Sequence, residues 1–191
     1  MSMTDTAVRR RQGSARRRVL DAAATLFYTE GIHAVGVDRV IAEAAVAKAT
    51  FYHHFPSKDD LVRTYLQEQS DQVRSVTLPT GDTPEEQILS VFDAIGEYTC
   101  GPGFRGCAFV NAAAEYPDAR HPVRRVIAAH REWFHGVLRD LLTAAGRPDA
   151  VRTAAMLVVL RDGLVVRGDL DHPADSETRA LVRETVTRVL A

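Results

Sequence analysis

Apolar residues along the chain recur at intervals of three and four positions, which is the spacing of one face of an α-helix. No stretch of strict apolar and polar alternation is long enough to predict a strand. The pattern therefore predicts an all-α protein of about nine helices. Their expected ranges are roughly 14–29, 38–44, 48–55, 57–76, 84–100, 106–115, 122–145, 148–167 and 181–190.

Prolines and capping residues place the helix ends and a functional boundary. Pro56 disfavours helical geometry in the residue before it, so the third helix should end there. Thr83, Pro84 and Glu86 form the clearest helix start, a capping residue followed by proline in the first turn. Because short helices precede Pro56 and longer amphipathic helices follow, we expect two functional units, 1–56 and 57–191, linked by the fourth helix.

The eighth predicted helix differs from the others because it is apolar on all sides. Its segment Met156 to Leu160 has no polar residue. A helix that buried only one face in its own domain would not need apolar residues on its other sides. A second covered face is therefore expected, against a partner chain or a cavity. The alternative is a helix at the centre of the core.

Composition narrows the class of protein. At 46% hydrophobic and 26% charged residues, the chain matches an ordinary globular protein. Its longest apolar run, Ala154 to Leu160, falls far short of the roughly 20 residues that a membrane helix needs. The arginine-rich start has no apolar segment behind it, so no secretory signal is expected. Two cysteines, Cys100 and Cys107, favour reduced thiols and a cytoplasmic location.

Charge is distributed unevenly. The net charge is −1, yet residues 1–20 carry six arginines against one acid, Asp5. A basic arm on a nearly neutral body favours a polyanionic partner, and a solvated tail is the alternative interpretation.

The first three helices match the arrangement of a helix-turn-helix, in which the last helix enters a major groove of DNA. That helix spans Lys48 to Phe55. Its polar side chains suit contacts with phosphates and base edges, whereas Phe51 and Phe55 can anchor the opposite face. The candidate DNA contacts on it are Lys48, Thr50, Tyr52, His53 and His54. Any short amphipathic helix shows one polar and one apolar face, so the pattern alone leaves a structural role open.

A sequence resemblance adds to this interpretation. Residues 44–61 read AAVAKATFYHHFPSKDDL and closely resemble the helix-turn-helix signature of the TetR family of bacterial transcriptional repressors. Residues 20–44 and 106–123 are also similar to segments of that family. The resemblance implies that Lys48, Tyr52, His53 and Lys58 touch DNA and that the second helix approaches the backbone through Val37, Asp38 and Arg39. We expect Arg17, in the arginine arm, to add a phosphate contact.

The turn departs from the family pattern. Alanines 45, 47 and 49 stand where many members have glycine or serine. Unlike serine, Ala47 cannot cap the third helix, a difference of about 1 kcal/mol.

For the second unit, the resemblance implies a dimer and a small, largely apolar effector. The last two helices should pair with those of a second subunit through faces that include Val158, Leu164, Val182, Val186 and Val189. The effector should bind among helices four to eight, where large apolar side chains concentrate, although most of these side chains must belong to the core. On the sixth helix, Cys107, Asn111 and Glu115 form a semi-polar stripe that could face a ligand or solvent. The candidate ligand contacts are Phe92, Phe104, Cys107, Val110, Asn111, Trp133, Phe134, Val137, Met156 and Leu160, with Phe109 and Glu115 beside them.

Other kinds of site find little support. Cys100 and Cys107 lack a histidine at helical spacing, so no metal or other cofactor is expected. Glycines 101, 103 and 106 match a phosphate-binding spacing but lack the preceding strand, and no GxSxG is present. The sequence therefore predicts a ligand-controlled repressor and no enzyme. The alternative is a small α-helical enzyme or carrier that uses the same cavity without DNA.

Overall fold

The computed structural model describes residues 14–171 and 175–191, and every regular element in those ranges is an α-helix. The arginines at 9, 10 and 11 of the predicted basic arm lie outside the described residues. The all-α class and the nine helices are confirmed for the part described. The helices are α1 (Ala15–Glu30), α2 (Val37–Glu43), α3 (Lys48–His54), α4 (Lys58–Val76), α5 (Pro84–Thr99), α6 (Ala108–Glu115), α7 (Pro122–Ala144), α8 (Ala150–Asp171) and α9 (Asp175–Leu190).

The helix starts follow from local hydrogen bonds. The hydroxyl of Ser14 accepts the N–H of Arg17 at 3.3 Å and begins α1. At α5, Thr83 Oγ1 accepts the N–H of Glu86 at 3.2 Å, and the Glu86 carboxylate accepts the N–H of Thr83 at 3.0 Å. This reciprocal capping box, with Pro84 in the first turn, confirms the start that the sequence predicts.

Two compact units make up the described chain. The first unit contains the residues up to Gln69 and Asn111–Val126, and the second contains Ser70–Val110 and Ile127–Ala191. Helices α4, α6 and α7 each contribute residues to both. The boundaries between these packing units therefore do not fall after residue 56. The functional boundary at that residue stays a prediction.

The C-terminal end of α6 is tied to the loop after α1 within the first unit. The Glu115 carboxylate accepts the backbone N–H groups of Ile32 at 2.8 Å and of His33 at 2.5 Å. Gly31, at φ +95°, precedes these two donors. The semi-polar stripe predicted on α6 therefore does not act as one surface, because Glu115 binds this loop and Cys107 is buried in the second unit.

In the second unit, α5 packs against α8 and α9. Gly168 allows α8 to approach the end of α5, because a Cβ at that position would lie 2.9 Å from the Cβ of Thr99. Phe92, Leu157 and Val186 are buried in the resulting core. Such close helix packing explains why the large apolar residues of this region serve mainly as core.

Candidate functional site

One face of α3, the helix that follows the turn after α2, is exposed to solvent. Phe51 and Phe55 are buried, as the sequence predicts, and hold the opposite face. Tyr52 is 44% exposed and His53 is exposed. Lys48 Nζ lies 3.0 Å from Asp38 Oδ1, a pair with both side chains exposed, so the starts of α2 and α3 lie together. The exposed face thus combines a cation, a phenol and an imidazole on one short helix.

Other predicted DNA contacts are less exposed or already paired. Val37, Thr50 and His54 are half-buried. Arg39 pairs with Glu30 at 3.3 Å. Lys58 is half-buried, and this burial lowers its pKa despite the nearby Glu115 carboxylate.

The arginines at the start of α1 already have partners in the first unit. Arg17 pairs with Asp21 at 2.7 Å and Glu68 at 2.8 Å. Arg18 donates to the carbonyl of Ala44 at 3.1 Å, at the end of α2. A DNA phosphate would have to compete with two carboxylates for Arg17, whereas for Lys48 it would compete with one, that of Asp38.

The turn itself contains a backbone conformation that favours glycine. Ala45 has φ +49°, in the left-handed region. Its N–H donates to the Ala42 carbonyl at 3.2 Å, and the N–H of Val46 donates to the Ile41 carbonyl at 3.3 Å. This pair of bonds is the Schellman motif, whose left-handed residue is usually glycine. Ala47 begins α3 without a side-chain cap, as the sequence predicts.

Replacing Ala45 with Gly should stabilise the first unit. A left-handed alanine is disfavoured by about 1–2 kcal/mol, and the extra chain entropy of glycine offsets about half of this. We expect the free energy of unfolding to rise by roughly 0.5–1 kcal/mol, measured by urea denaturation. The matched control is Ala42→Gly in exposed helical backbone, which should lower it by about 1 kcal/mol. Equal losses in both variants would contradict the strain assigned to Ala45.

A small cavity of about 40 Å³ lies inside the second unit. Residues of helices α4 to α8 line it, together with Thr77, which directly follows α4. Its apolar wall is formed by Val73, Ile95, Phe109, Phe134 and Val158. Its polar wall is formed by Thr77, His130, Arg131, Arg161 and Asp162. The cavity lies among helices four to eight, where the sequence predicts the ligand, and half of the residues that line it are polar or charged, although most of its exposed wall area is apolar.

The charged residues of this wall form one hydrogen-bonded cluster. Arg131 binds both oxygens of Asp162, at 3.1 and 2.8 Å, and Arg161 binds Oδ1 at 3.0 Å. Burial alone would raise the pKa of Asp162, but these hydrogen bonds hold it below its usual value. Arg161 also donates to Cys107 Sγ at 3.2 Å. Two guanidinium groups therefore share one carboxylate.

His130 is buried beside this cluster. Its ring stacks on Phe109 at 3.7 Å between centroids, and its Nδ1 lies 2.9 Å from the Ser70 hydroxyl. Burial, followed by the charges of Arg161, Arg74 and Arg131, lowers its pKa to about 4. The imidazole is therefore neutral at physiological pH.

Most of the ligand contacts predicted from the sequence do not line this cavity. Phe134 lines the cavity, and Phe109 does so beside it. The predicted contacts that do not line it are Phe92, Phe104 and Cys107, which are buried; Trp133, Val137 and Leu160, which are half-buried; and Val110, Asn111 and Met156, which are exposed. Sequence reasoning missed His130, Arg131, Arg161 and Asp162. Arg161, a charge at the end of the apolar run in α8, was the available signal.

An apolar stripe follows the exposed side of α8. The α8 stripe consists of exposed residues three or four positions apart, namely Val151, Ala155, Val159, Gly163, Val166 and Leu170. Leu157, Leu164 and Val165 on other sides of the helix are buried in the same chain. The second apolar face predicted for this helix is thus present and faces solvent in the single chain.

The pairing faces predicted from the sequence need correction. Leu164, Val182 and Val186 are buried inside their own chain, and Val186 is 0% exposed. They are covered because α9 packs on α5 and α8. These three side chains cannot form the predicted interface. Val158 lines the cavity and Val189 is half-buried.

Two further features of the described residues bear on function. No helix in the described ranges is both long and apolar enough to cross a membrane. In the same ranges, no three histidine, cysteine or acidic side chains are grouped so that they could hold a metal ion.

Family profiles match both parts of the chain. The profile described as "Bacterial regulatory proteins, tetR family" matches residues 19–65, and that described as "Tetracyclin repressor-like, C-terminal domain" matches residues 108–191. The first match contains α2, α3 and the turn between them. The second contains α6 to α9, including most of the residues around the cavity.

Solved structures and related sequences agree with these matches. A TetR-family transcriptional regulator from Streptomyces coelicolor is 41% identical, with a TM-score of 0.85 over 92% of this chain and 94% of that one. A regulator of the same type from Streptomyces avermitilis is 30% identical, with a TM-score of 0.84 over 93% and 96%. The HTH-type transcriptional regulator YjdC of Escherichia coli is 23% identical and covers 91% of this chain and 93% of its own length. These relatives are transcriptional regulators and not enzymes. The chain belongs to the TetR family of bacterial transcriptional regulators.

Proposed function

We propose that this protein is a ligand-responsive repressor that binds a palindromic operator as a homodimer and is released from DNA by a small effector. The observation that carries this proposal is the exposed face of α3, where Lys48, Tyr52 and His53 stand above an anchored Phe51. Helices held in this way insert into the major groove and read base edges with their exposed side chains. The proposed DNA contacts are those predicted from the sequence, with Lys48, Tyr52 and His53 as the central ones.

The α8 stripe supports the dimer. Val159 is 72% exposed and Leu170 is 73% exposed, and large apolar side chains aligned on one helix face are typical of a covered surface. Small residues at 155 and 163 within the stripe allow a second helix to approach closely. A two-fold axis at this stripe would bring two copies of the same face together. Two α3 helices in successive major grooves would then require half-sites about 34 Å apart.

The cavity in the second unit supports the effector. Its apolar side chains, among them Phe109 and Phe134, suit a largely apolar molecule. An effector shifts the protein toward the state that does not bind DNA only by the difference in its affinity for the two states. A tenfold release requires about 1.4 kcal/mol of such preference.

The test of operator binding is the salt dependence of affinity on a fragment selected from genomic DNA by the protein itself. If Lys48 neutralises one phosphate, Lys48→Ala should reduce the slope of log affinity against log salt concentration by about 0.9, the value expected for a single phosphate. The measurement is fluorescence anisotropy of a labelled fragment at several salt concentrations.

The matched control is Arg188→Ala, which removes an exposed cation from α9 that pairs only locally with Glu184. Its slope should equal that of the unaltered protein. An unchanged slope in Lys48→Ala, or failure to recover any DNA fragment that competes against random sequence, would refute the assignment.

A further inference from the structure

The polar wall of the cavity carries an excess of positive charge. Arg131 and Arg161 both line it, and they share the single carboxylate of Asp162. His130, which stacks on Phe109, is neutral at physiological pH. Arg74 adds a third guanidinium beside this imidazole, and its buried Nε has no hydrogen-bond partner among the described residues. A ligand in this cavity thus meets two guanidinium groups and one carboxylate, with the third guanidinium nearby.

Arg161 is the cation best placed to bind a ligand. Its side chain is only 14% exposed, so an interaction there is weakly screened by water. One terminal nitrogen is bound to Asp162, but the other donates to the sulfur of Cys107, which is a weak acceptor. A carboxylate that replaced this sulfur contact would form a charge-assisted hydrogen bond, which is considerably stronger.

We infer that the effector is an organic anion, with an apolar body that packs against Ile95, Phe109 and Phe134 and one acid group that binds the guanidinium of Arg161. This inference rests on the proposed function, because it names the chemical class of the ligand of that cavity. An uncharged apolar molecule would bury the guanidinium groups without compensating their charge, which disfavours its binding.

Entry of such a ligand requires the cavity to widen. A volume of about 40 Å³ accommodates only a few water molecules. Arg131 has the most exposed side chain of the charged cluster, at 43%, and both of its terminal nitrogens donate to Asp162. Separation of this ion pair, which joins α7 to α8, is the change that widens the cavity for the ligand.

The test uses two probes of the same shape, 2-naphthoate and its neutral amide, 2-naphthamide. Isothermal titration of the full-length protein should show the acid binding at least tenfold more tightly than the amide, because only the acid forms the charge-assisted bond. Arg161→Gln should weaken 2-naphthoate at least tenfold and change 2-naphthamide less than threefold. Arg161→Lys, which keeps the charge, should restore part of the affinity.

The control is Arg152→Gln, which removes an exposed arginine from the same helix and should leave both affinities unchanged. Equal affinities of acid and amide for the unaltered protein would overturn the inference, and this comparison needs no variant to fold. Unchanged binding of the acid by folded Arg161→Gln, or no binding of either probe, would overturn it as well.

Operator release, measured in parallel by anisotropy, separates this inference from the proposed function. If 2-naphthoate binds through Arg161 but leaves operator affinity unchanged, the anion site stands and ligand control by this cavity fails. If the amide alone releases DNA, ligand control stands and the anionic class is wrong.

Discussion

Replacing Val159 with Asp should dissociate the proposed dimer and, with it, remove tight operator binding. Val159 is 72% exposed in the single chain, so the substitution leaves the fold of the monomer intact. In a two-fold interface the same carboxylate would be buried twice and close to its own copy, and Arg131, which lines the same hollow, is already paired with Asp162. An unpaired buried charge costs several kcal/mol, so we expect dimerisation to weaken by at least 100-fold.

Analytical ultracentrifugation gives the association constant, and anisotropy gives the operator affinity of the same samples. Val76→Asp is the matched control, since it places the same charge on another exposed valine, at the end of α4. That variant should remain dimeric. Val186→Asp should instead unfold the chain, because Val186 is fully buried within it. A Val159→Asp protein that sediments as a dimer would show that the α8 stripe is not the interface.

Lowering the pH from 6.5 to 4 should reduce the free energy of unfolding by up to about 3 kcal/mol through His130 alone. Its pKa is lowered from the ordinary 6.5 to about 4, by burial first and then by three arginine charges. Within this window the unfolded chain binds a proton that the folded chain excludes, so stability falls as the pH falls. Well above pH 6.5 the imidazole is neutral in both the folded and the unfolded chain, and the effect vanishes. Each pKa unit corresponds to about 1.36 kcal/mol.

The check is urea denaturation of the unaltered protein and of His130→Gln across this pH range. The free energy of unfolding of the variant should lose the part of its pH dependence that is due to this imidazole. The contributions of the carboxylates are common to both proteins and cancel in the comparison. Parallel curves for the unaltered protein and His130→Gln would contradict the buried, neutral state of His130.

Local features of the first unit were predictable because they depend on neighbours in sequence. The apolar spacing of three and four gives the helices, and Pro56 limits α3. The burial of Phe51 and Phe55 follows from their spacing of four on one short helix. The exposed character of Lys48 and Tyr52 follows for the same reason. In the second unit, the capping box that starts α5 was predictable on the same local grounds.

Periodicity also separated the polar and apolar sides of the later helices, but it could not assign partners to them. Helix α8 is apolar on more than one side, so its pattern does not distinguish the face on α5 from the face in solvent. Val186 and Val159 are both valines on apolar faces, yet one is fully buried in the chain and the other is 72% exposed. This difference arises only when α9 packs on α5.

By itself, the sequence determined the all-α class, most of the helix ends, the helix-turn-helix with its exposed polar face, and membership of the family, although α9 begins at Asp175 and not near 181. Only the tertiary structure decided which side chains surround the cavity, which face of α8 is left uncovered, and that Glu115 binds the loop after α1. The physical reason is the range of the interactions. Helix caps and faces depend on residues within about four positions, whereas Arg131 and Asp162, or Ile32 and Glu115, are brought together by packing of distant segments.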